Sequence, residues 1–423
     1  MPQTLTRASF LQSLQPGTRV YWPGCAGHSP LFERWLQGQP RQAAGVSFCG
    51  VWIPGVNRFD PTALHPDARA RVCFLPPALH AAQDRGAIDL MPLHYSDMQR
   101  WLGTPGRFDL LLLQVAPPDA QGRCSLSVAA DFTPAVLAAA GPEARVLAHV
   151  NPQLPATRGP WVDVSRIHAW VQTSCEPLTV ADEPPHAASA ALAAQVLTLA
   201  RDGDTVQLGL GRLQAAVLQA LQVRRGLRLH SGMVSDGLLG LLQAGALAPR
   251  NAQEPPVCTG VALGSPRLYE ALADPSLARF EPVSFTHAQA TLAAVPQLLS
   301  VNAALQVDLF GNVNVEWLDG RRVSGIGGLL DFVRGARLSA GGRSVLALNA
   351  TAAGGRVSRI VPQLAAGCTS VPRSDVDWVA TEWGVVCLRE RDAESRAQAL
   401  IGLACPEHRS ELQQAWHTLR RQG

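Results

Sequence analysis

Uniformly apolar runs alternate with amphipathic stretches along most of this chain. Leu110 to Val115 has no polar interruption before Gln114, as in a strand covered on both faces. Gly17 to Gly24, Val46 to Pro54, Ala70 to Leu75, Ile88 to Pro92 and Val146 to Val150 read as further short strands. Pro30 to Gln37, Met98 to Leu102 and Ala129 to Ala140 read as helices. Gly141-Pro142 stops the last of these. The alternation predicts an α/β fold with a mainly parallel sheet.

The same form returns after a proline-containing polar stretch, Pro177 to Pro185, which reads as a linker. Ala187 to Ala200 predicts a helix and Thr205 to Leu208 a strand. Gly209-Leu-Gly-Arg-Leu213 follows, and then a helix to Leu221. As a dinucleotide fingerprint this lacks its third glycine. Leu227 to Leu229 begins a strand that leads into H-S-G-M-V-S-D-G. Strands follow at Val257 to Leu263, Pro296 to Val307 and Val313 to Trp317. Leu238 to Ala244, Pro266 to Leu272 and Pro406 to Arg420 are helical. Two domains are expected, 1–180 and 187–423, with the site in the cleft between them.

The stretch from Val323 to Pro362 carries the densest glycine signal. Gly325, Gly327 and Gly328 precede a helix-compatible run, Leu329 to Arg337. A glycine loop feeding a helix aims backbone N–H groups at an anion or a developing oxyanion. Ser344 to Leu348 reads as a buried strand that ends in a second small-residue loop, Thr351 to Gly355. Glycine spacing alone favours two ordinary turns.

Composition narrows the chemistry. All 36 basic residues are arginine, so a Schiff-base, PLP or P-loop lysine is excluded. Arginine suits bidentate pairing with nucleotide-like phosphates, although a compositional bias accounts for it too. The net charge of +3 and the lack of charge blocks give no reason to expect nucleic acid. The 9 cysteines form no C-x-x-C, so neither a metal nor a redox centre is expected. No apolar run is long enough for a membrane span, and the N-terminus lacks signal-peptide character, so a cytoplasmic location is expected.

Several motifs recur in an order that resembles the acetyl-CoA hydrolase/CoA-transferase family, including its 4-hydroxybutyrate CoA-transferases. They are P-L-H-Y-S (Pro92 to Ser96), Q-V-A-P-P-D-A-Q-G (Gln114 to Gly122), V-N-P-Q-L-P (Val150 to Pro155), G-I-G-G-L-L-D-F-V-R-G-A and G-R-V-S-R-I-V-P. Asp375 to Gly384 and Arg396 to Pro406 continue the match. The resemblance implies two similarly built α/β halves that bind coenzyme A as a substrate and act on acyl-CoA and carboxylic acids. It implies CoA-binding residues at Gly209, Gly211, Leu213, Gly325, Gly327, Gly328, Leu330 and Gly354. A homo-oligomer and a partner-subunit role both stay open.

One departure bears on mechanism. Family transferases use a glutamate that becomes an acyl anhydride and then a glutamyl-CoA thioester. The matching segment here is Leu229 to Gly237, and the glutamate position is Gly232. Leu329 also stands where family members commonly carry glutamine. His230 and Ser231 are neighbours on a strand and point to opposite faces. Glu316 and Glu382 are distant in sequence. His94 is a candidate base for water, or a hydrogen-bonded core histidine. Three readings follow: an acyl-CoA-processing enzyme, a degenerate acyl-CoA-binding or partner subunit, and an enzyme with water-mediated thioester hydrolysis.

Overall fold

The computed structural model describes residues 1–180, 186–251 and 253–421. Part of the expected linker, residues 181–185, lies outside the described residues. The chain divides into two compact units. The first comprises Met1–Ala181, Val257–Thr286 and Val323–Gly327; the second comprises Asp182–Pro256, His287–Arg322 and Gly328–Gly423.

The first unit contains an 8-stranded sheet whose strands all pair in parallel. Its order is Gln3–Thr4, Ala169–Gln172, Arg145–Val150, Leu110–Val115, Arg19–Tyr21, Ser47–Gly50, Arg69–Val72 and Ile88–Leu90. Every residue of Leu110–Val115 is buried, as its apolar run requires. Phe10, Phe32, Trp22, Phe48 and Leu112 belong to the core packed on this sheet. Helix Pro30–Gln37 starts on Ser29, whose hydroxyl accepts the Phe32 amide, with proline in the first turn.

Chain direction across the sheet reverses at Arg19–Tyr21. Its neighbours are Ser47–Gly50 on one side and Leu110–Val115 on the other. Such a reversal leaves a crevice beyond the carboxyl ends of the strands.

In the second unit, Arg228–Val234, Thr205–Leu208, Leu298–Ala303, Arg343–Ala347, Trp378–Thr381 and Gly384–Cys387 lie side by side in that order. The last pair is antiparallel. Thr205–Leu208 is the reversal strand here, between Arg228–Val234 and Leu298–Ala303. Gln207, Ser300 and Asn302 form a buried polar network between two of these strands, with the Ser300 hydroxyl 2.6 Å from Gln207 Oε1. Gly335 lets helix Leu329–Leu338 approach Leu292, since a Cβ there would lie 2.5 Å from Leu292 Cβ.

Some expected boundaries move. The expected strand Pro296 to Val307 is two strands, Leu298–Ala303 and Gln306–Asp308. The strand expected at Leu227 to Leu229 runs as Arg228–Val234 and takes in the segment around Gly232. The helix expected from Ala129 begins at Thr133, because Pro134 fits only the first turn. Asp131 is thereby left in the preceding bend.

Candidate functional site

Each glycine loop follows a strand end. Gly209 and Gly211 leave the reversal strand Thr205–Leu208 and precede helix Arg212–Ala220. Gly211 has φ 121, closed to ordinary side chains. Leu213 lies in the first turn of that helix. Thr351–Ala352 opens a small hairpin, after which Ala353, Gly354 and Gly355 have φ 51, 68 and 92. The surroundings of Gly354 are open to a Cβ.

Gly325 and Gly327 sit in the first unit, pressed onto Cys73 and Phe74. A Cβ on Gly325 would lie 2.8 Å from the Cys73 carbonyl oxygen, and one on Gly327 would lie 3.2 Å from Phe74 Cζ. The Gly327 carbonyl accepts the Tyr95 amide at 3.1 Å. Gly328 caps helix Leu329–Leu338 in the second unit, and Leu329 is buried while Leu330 is half-buried.

His94 caps helix Tyr95–Leu102 with its backbone, and its Nδ1 lies 2.9 Å from Asp97 Oδ2. The imidazole is held by the helix it precedes.

Gly232 lies in strand Arg228–Val234 and keeps some exposure. The flanking Ser231 hydroxyl donates to the Leu208 carbonyl at 2.6 Å. A Cβ on Gly232 would meet His287, at 2.8 Å from Cε1 and 3.0 Å from Nε2. His287 is 1% exposed, and its ring packs on Phe332 at 4.7 Å between centroids. An imidazole therefore fills the direction in which a side chain at 232 would leave the backbone. The other carboxylates considered from sequence are engaged elsewhere. Glu316 Oε2 accepts the Ser370 hydroxyl at 2.9 Å, and Glu382 Oε2 accepts the Ala350 amide at 2.8 Å.

Sequence reasoning overlooked two residues, His287 and Asp131. His287 sits far from Gly232 in sequence and carries no motif of its own. Asp131 was hidden inside an expected helix, although Pro134 was the available signal that the helix starts later. Burial raises its carboxyl to about 6, and backbone hydrogen bonds only partly offset this.

Among the described residues, no cluster of three or more His, Cys, Asp or Glu could hold a metal ion, and no helix is long and apolar enough to cross a membrane.

Two largely parallel sheets with reversal strands, and glycine loops that follow strand ends, define a mixed α/β protein of the CoA-transferase type. The solved structure of RipA from Yersinia pestis has this architecture at TM-score 0.90 and 25% identity, covering 99% of this chain and 97% of that one. A 4-hydroxybutyrate CoA-transferase from Porphyromonas gingivalis matches at TM-score 0.80 and 26% identity, over 100% and 98% of the two chains. The acetyl-CoA hydrolase/transferase C-terminal domain model matches residues 264–416. A 4-hydroxybutyrate coenzyme A transferase of Clostridium kluyveri is 35% identical over 421 residues, 96% of each chain. A succinyl-CoA:cyclohexane-1-carboxylate CoA transferase of Geobacter metallireducens is 32% identical over 415 residues, 96% of this chain and 93% of that one. The chain belongs to the acetyl-CoA hydrolase/CoA-transferase family.

Proposed function

We propose that the protein acts on an acyl-CoA thioester, hydrolysing it or passing CoA to a carboxylic acid, without an enzyme-bound glutamyl-CoA intermediate. The observation that carries this reading is Gly232, which has no side chain to acylate and whose side-chain direction is filled by His287. A carboxylate is needed to form first an anhydride and then a thioester. The glycine loops at Gly209, Gly211 and Leu213, at Gly325, Gly327, Gly328 and Leu330, and at Gly354 support retained binding of CoA. Their backbone N–H groups suit phosphates and a developing oxyanion. His94 would stand by as a base held by Asp97. Coenzyme A enters as substrate, and a chain without lysine offers PLP no Schiff-base partner.

The buried state of His287 favours a second reading, a degenerate acyl-CoA-binding or partner subunit, because it leaves little room at 232 for a reacting group. One experiment separates the two. The protein is incubated with acetyl-CoA and longer acyl-CoAs, and thiol release, CoA transfer to added acids and borohydride-reducible thioesters are followed. Turnover without a reducible protein thioester supports the first reading. Binding without turnover supports the second. A reducible glutamyl thioester would refute the first.

A further inference from the structure

At its amino end, the first sheet carries charge where a parallel sheet is usually apolar. Arg19, Ser47 and Arg69 are the first residues of three neighbouring strands. Arg19 stands opposite Ser47, and Ser47 opposite Arg69. Two residues further on, Cys49 stands opposite Arg71 and Arg71 opposite Asp89. Side chains two residues apart share a face, so Arg19, Arg69 and Arg71 leave the same side of the sheet. Val20, Phe48, Ala70 and Val72 leave the other side and join the core. Both faces of a parallel sheet are ordinarily covered by apolar packing. Three arginines on one face of adjacent strands break that rule.

A cavity forms there. Helix Tyr95–Leu102 brings Trp101 to this face, and the turn after it brings Arg107. With the strand residues they line a space of about 410 Å³, a size typical of small-molecule sites. The Arg107 guanidinium carbon lies 4.1 Å from the Trp101 ring centroid, and that of Arg71 lies 5.8 Å from it. Two cations thus flank one indole. The cavity sits at the amino ends of the strands, away from the crevice beyond their carboxyl ends.

The charges of this cavity are only partly paired. Arg19 forks onto Asp109, with Nε at 2.9 Å and Nη2 at 2.6 Å. Arg71 Nη2 lies 2.8 Å from Asp89 Oδ2. Arg69 and Arg107 have no carboxylate partner among the described residues. Arg69 Nη1 donates to the Pro66 and Ala68 carbonyls, at 2.8 and 3.0 Å. Arg107 Nε is buried without a hydrogen-bond partner. Burial first, and then the charges of Arg71 and Arg19, hold Arg107 below its usual value. Four guanidiniums against two carboxylates leave an excess of two positive charges. A concave site lined by one sign of charge concentrates counter-ions.

We propose that this cavity binds a small organic phosphate through its phosphate monoester. The monoester is close to a dianion at neutral pH, which matches the excess charge. Guanidinium presents a planar fork that suits phosphate oxygens, and Arg69 and Arg107 are the two without a competing carboxylate. A phosphate fills only part of the space, and the remainder takes an organic group beside Trp101. The inference goes beyond the thioester reading and does not depend on it.

The test is calorimetric titration of the full chain with ribose 5-phosphate, ribose and inorganic phosphate, each with and without saturating CoA. Ribose 5-phosphate is expected to bind once per chain with a Kd below about 1 mM, with CoA present or absent. Ribose is expected not to bind. Arg107→Gln and Arg69→Gln should each weaken ribose 5-phosphate by about tenfold or more while leaving CoA binding as it is. In wild type, ribose 5-phosphate should also shield Arg71 and Arg107 from phenylglyoxal, read by peptide mass spectrometry. That arm needs no variant and stands if a substitution unfolds the chain. No binding of ribose 5-phosphate by about 10 mM overturns the proposal. Unchanged affinity in both variants overturns it, as does labelling without protection. Displacement of ribose 5-phosphate by CoA would place the phosphate in the CoA site and overturn it too. Equal affinity for inorganic phosphate would overturn the organic ester. A change of mass in sedimentation on Arg107→Gln, with no phosphate binding to wild type, would mark this face as an interface between copies instead.

Discussion

Gly232 and His287 share one space: a Cβ on Gly232 would stand 2.8 Å from the His287 ring. The imidazole is buried against Phe332, so it has little freedom to retreat. Gly232→Ala is expected to destabilise the protein by about 1–3 kcal/mol through overpacking. Gly232→Glu should do at least as much. His287→Ala opens the space, so the pair Gly232→Glu with His287→Ala should be more stable than the sum of the single effects predicts. Denaturant melts of the four proteins measure this coupling, expected at about 0.5–3 kcal/mol. Additive effects would mean that the two positions do not share the space. Restoring a covalent glutamate thus requires the second substitution.

The glycine loop gives a second prediction. A Cβ on Gly325 would meet the Cys73 carbonyl oxygen at 2.8 Å, and a backbone atom cannot turn aside as a side chain can. Gly325→Ala should displace the loop and weaken acyl-CoA binding by tenfold or more, with a small loss of melting temperature. Gly354→Ala meets no neighbour and isolates the effect of φ 68 alone. Unchanged acyl-CoA affinity in Gly325→Ala would remove this loop from the binding surface.

Much of the strand and helix order was legible because burial on both faces of a parallel sheet writes itself as uninterrupted apolar runs. Leu110–Val115, Thr205–Leu208 and Pro30–Gln37 stand where the pattern puts them. The strand Arg228–Val234 was cut short in the reading because His230, Ser231 and Gly232 interrupt the apolar signal. The structure satisfies the serine with the Leu208 carbonyl, a partner 23 residues away in sequence. The meeting of Gly232 with His287 spans 55 residues and depends on packing that no local pattern encodes. The placement of Asp131 in a bend turned on one proline.

The buried ion pair Arg343–Asp204 is a third test, aimed at the fold of the second unit. Arg343 Nη2 lies 2.5 Å from Asp204 Oδ1, and Nη1 donates to the Leu199 carbonyl at 2.6 Å. Asp204 is fully buried and Arg343 nearly so. Asp204→Asn leaves the guanidinium without its charge partner and should cost about 3–5 kcal/mol. The double change Asp204→Asn with Arg343→Met should recover part of that loss. Urea melts measure both, and equal stability of wild type and Asp204→Asn would show that the pair carries no net weight.

Asp131 gives the last prediction, one that does not depend on turnover. Its carboxyl is raised from 3.8 to about 6 in the folded chain, chiefly because burial disfavours the charged form. Between these two values the folded state binds more protons than the unfolded state, so stability falls as pH rises through this window. Below about 4 both states are protonated and the group is neutral in effect. Above about 6 the full penalty is present, and a shift of about two units corresponds to roughly 3 kcal/mol. Asparagine cannot ionise and keeps a similar shape. Asp131→Asn should therefore be more stable than wild type at pH 7 to 8, with the difference shrinking toward pH 4. Thermal and urea melts across that range measure it. A variant equal to or less stable than wild type at pH 8 would show that the carboxylate is compensated where it sits.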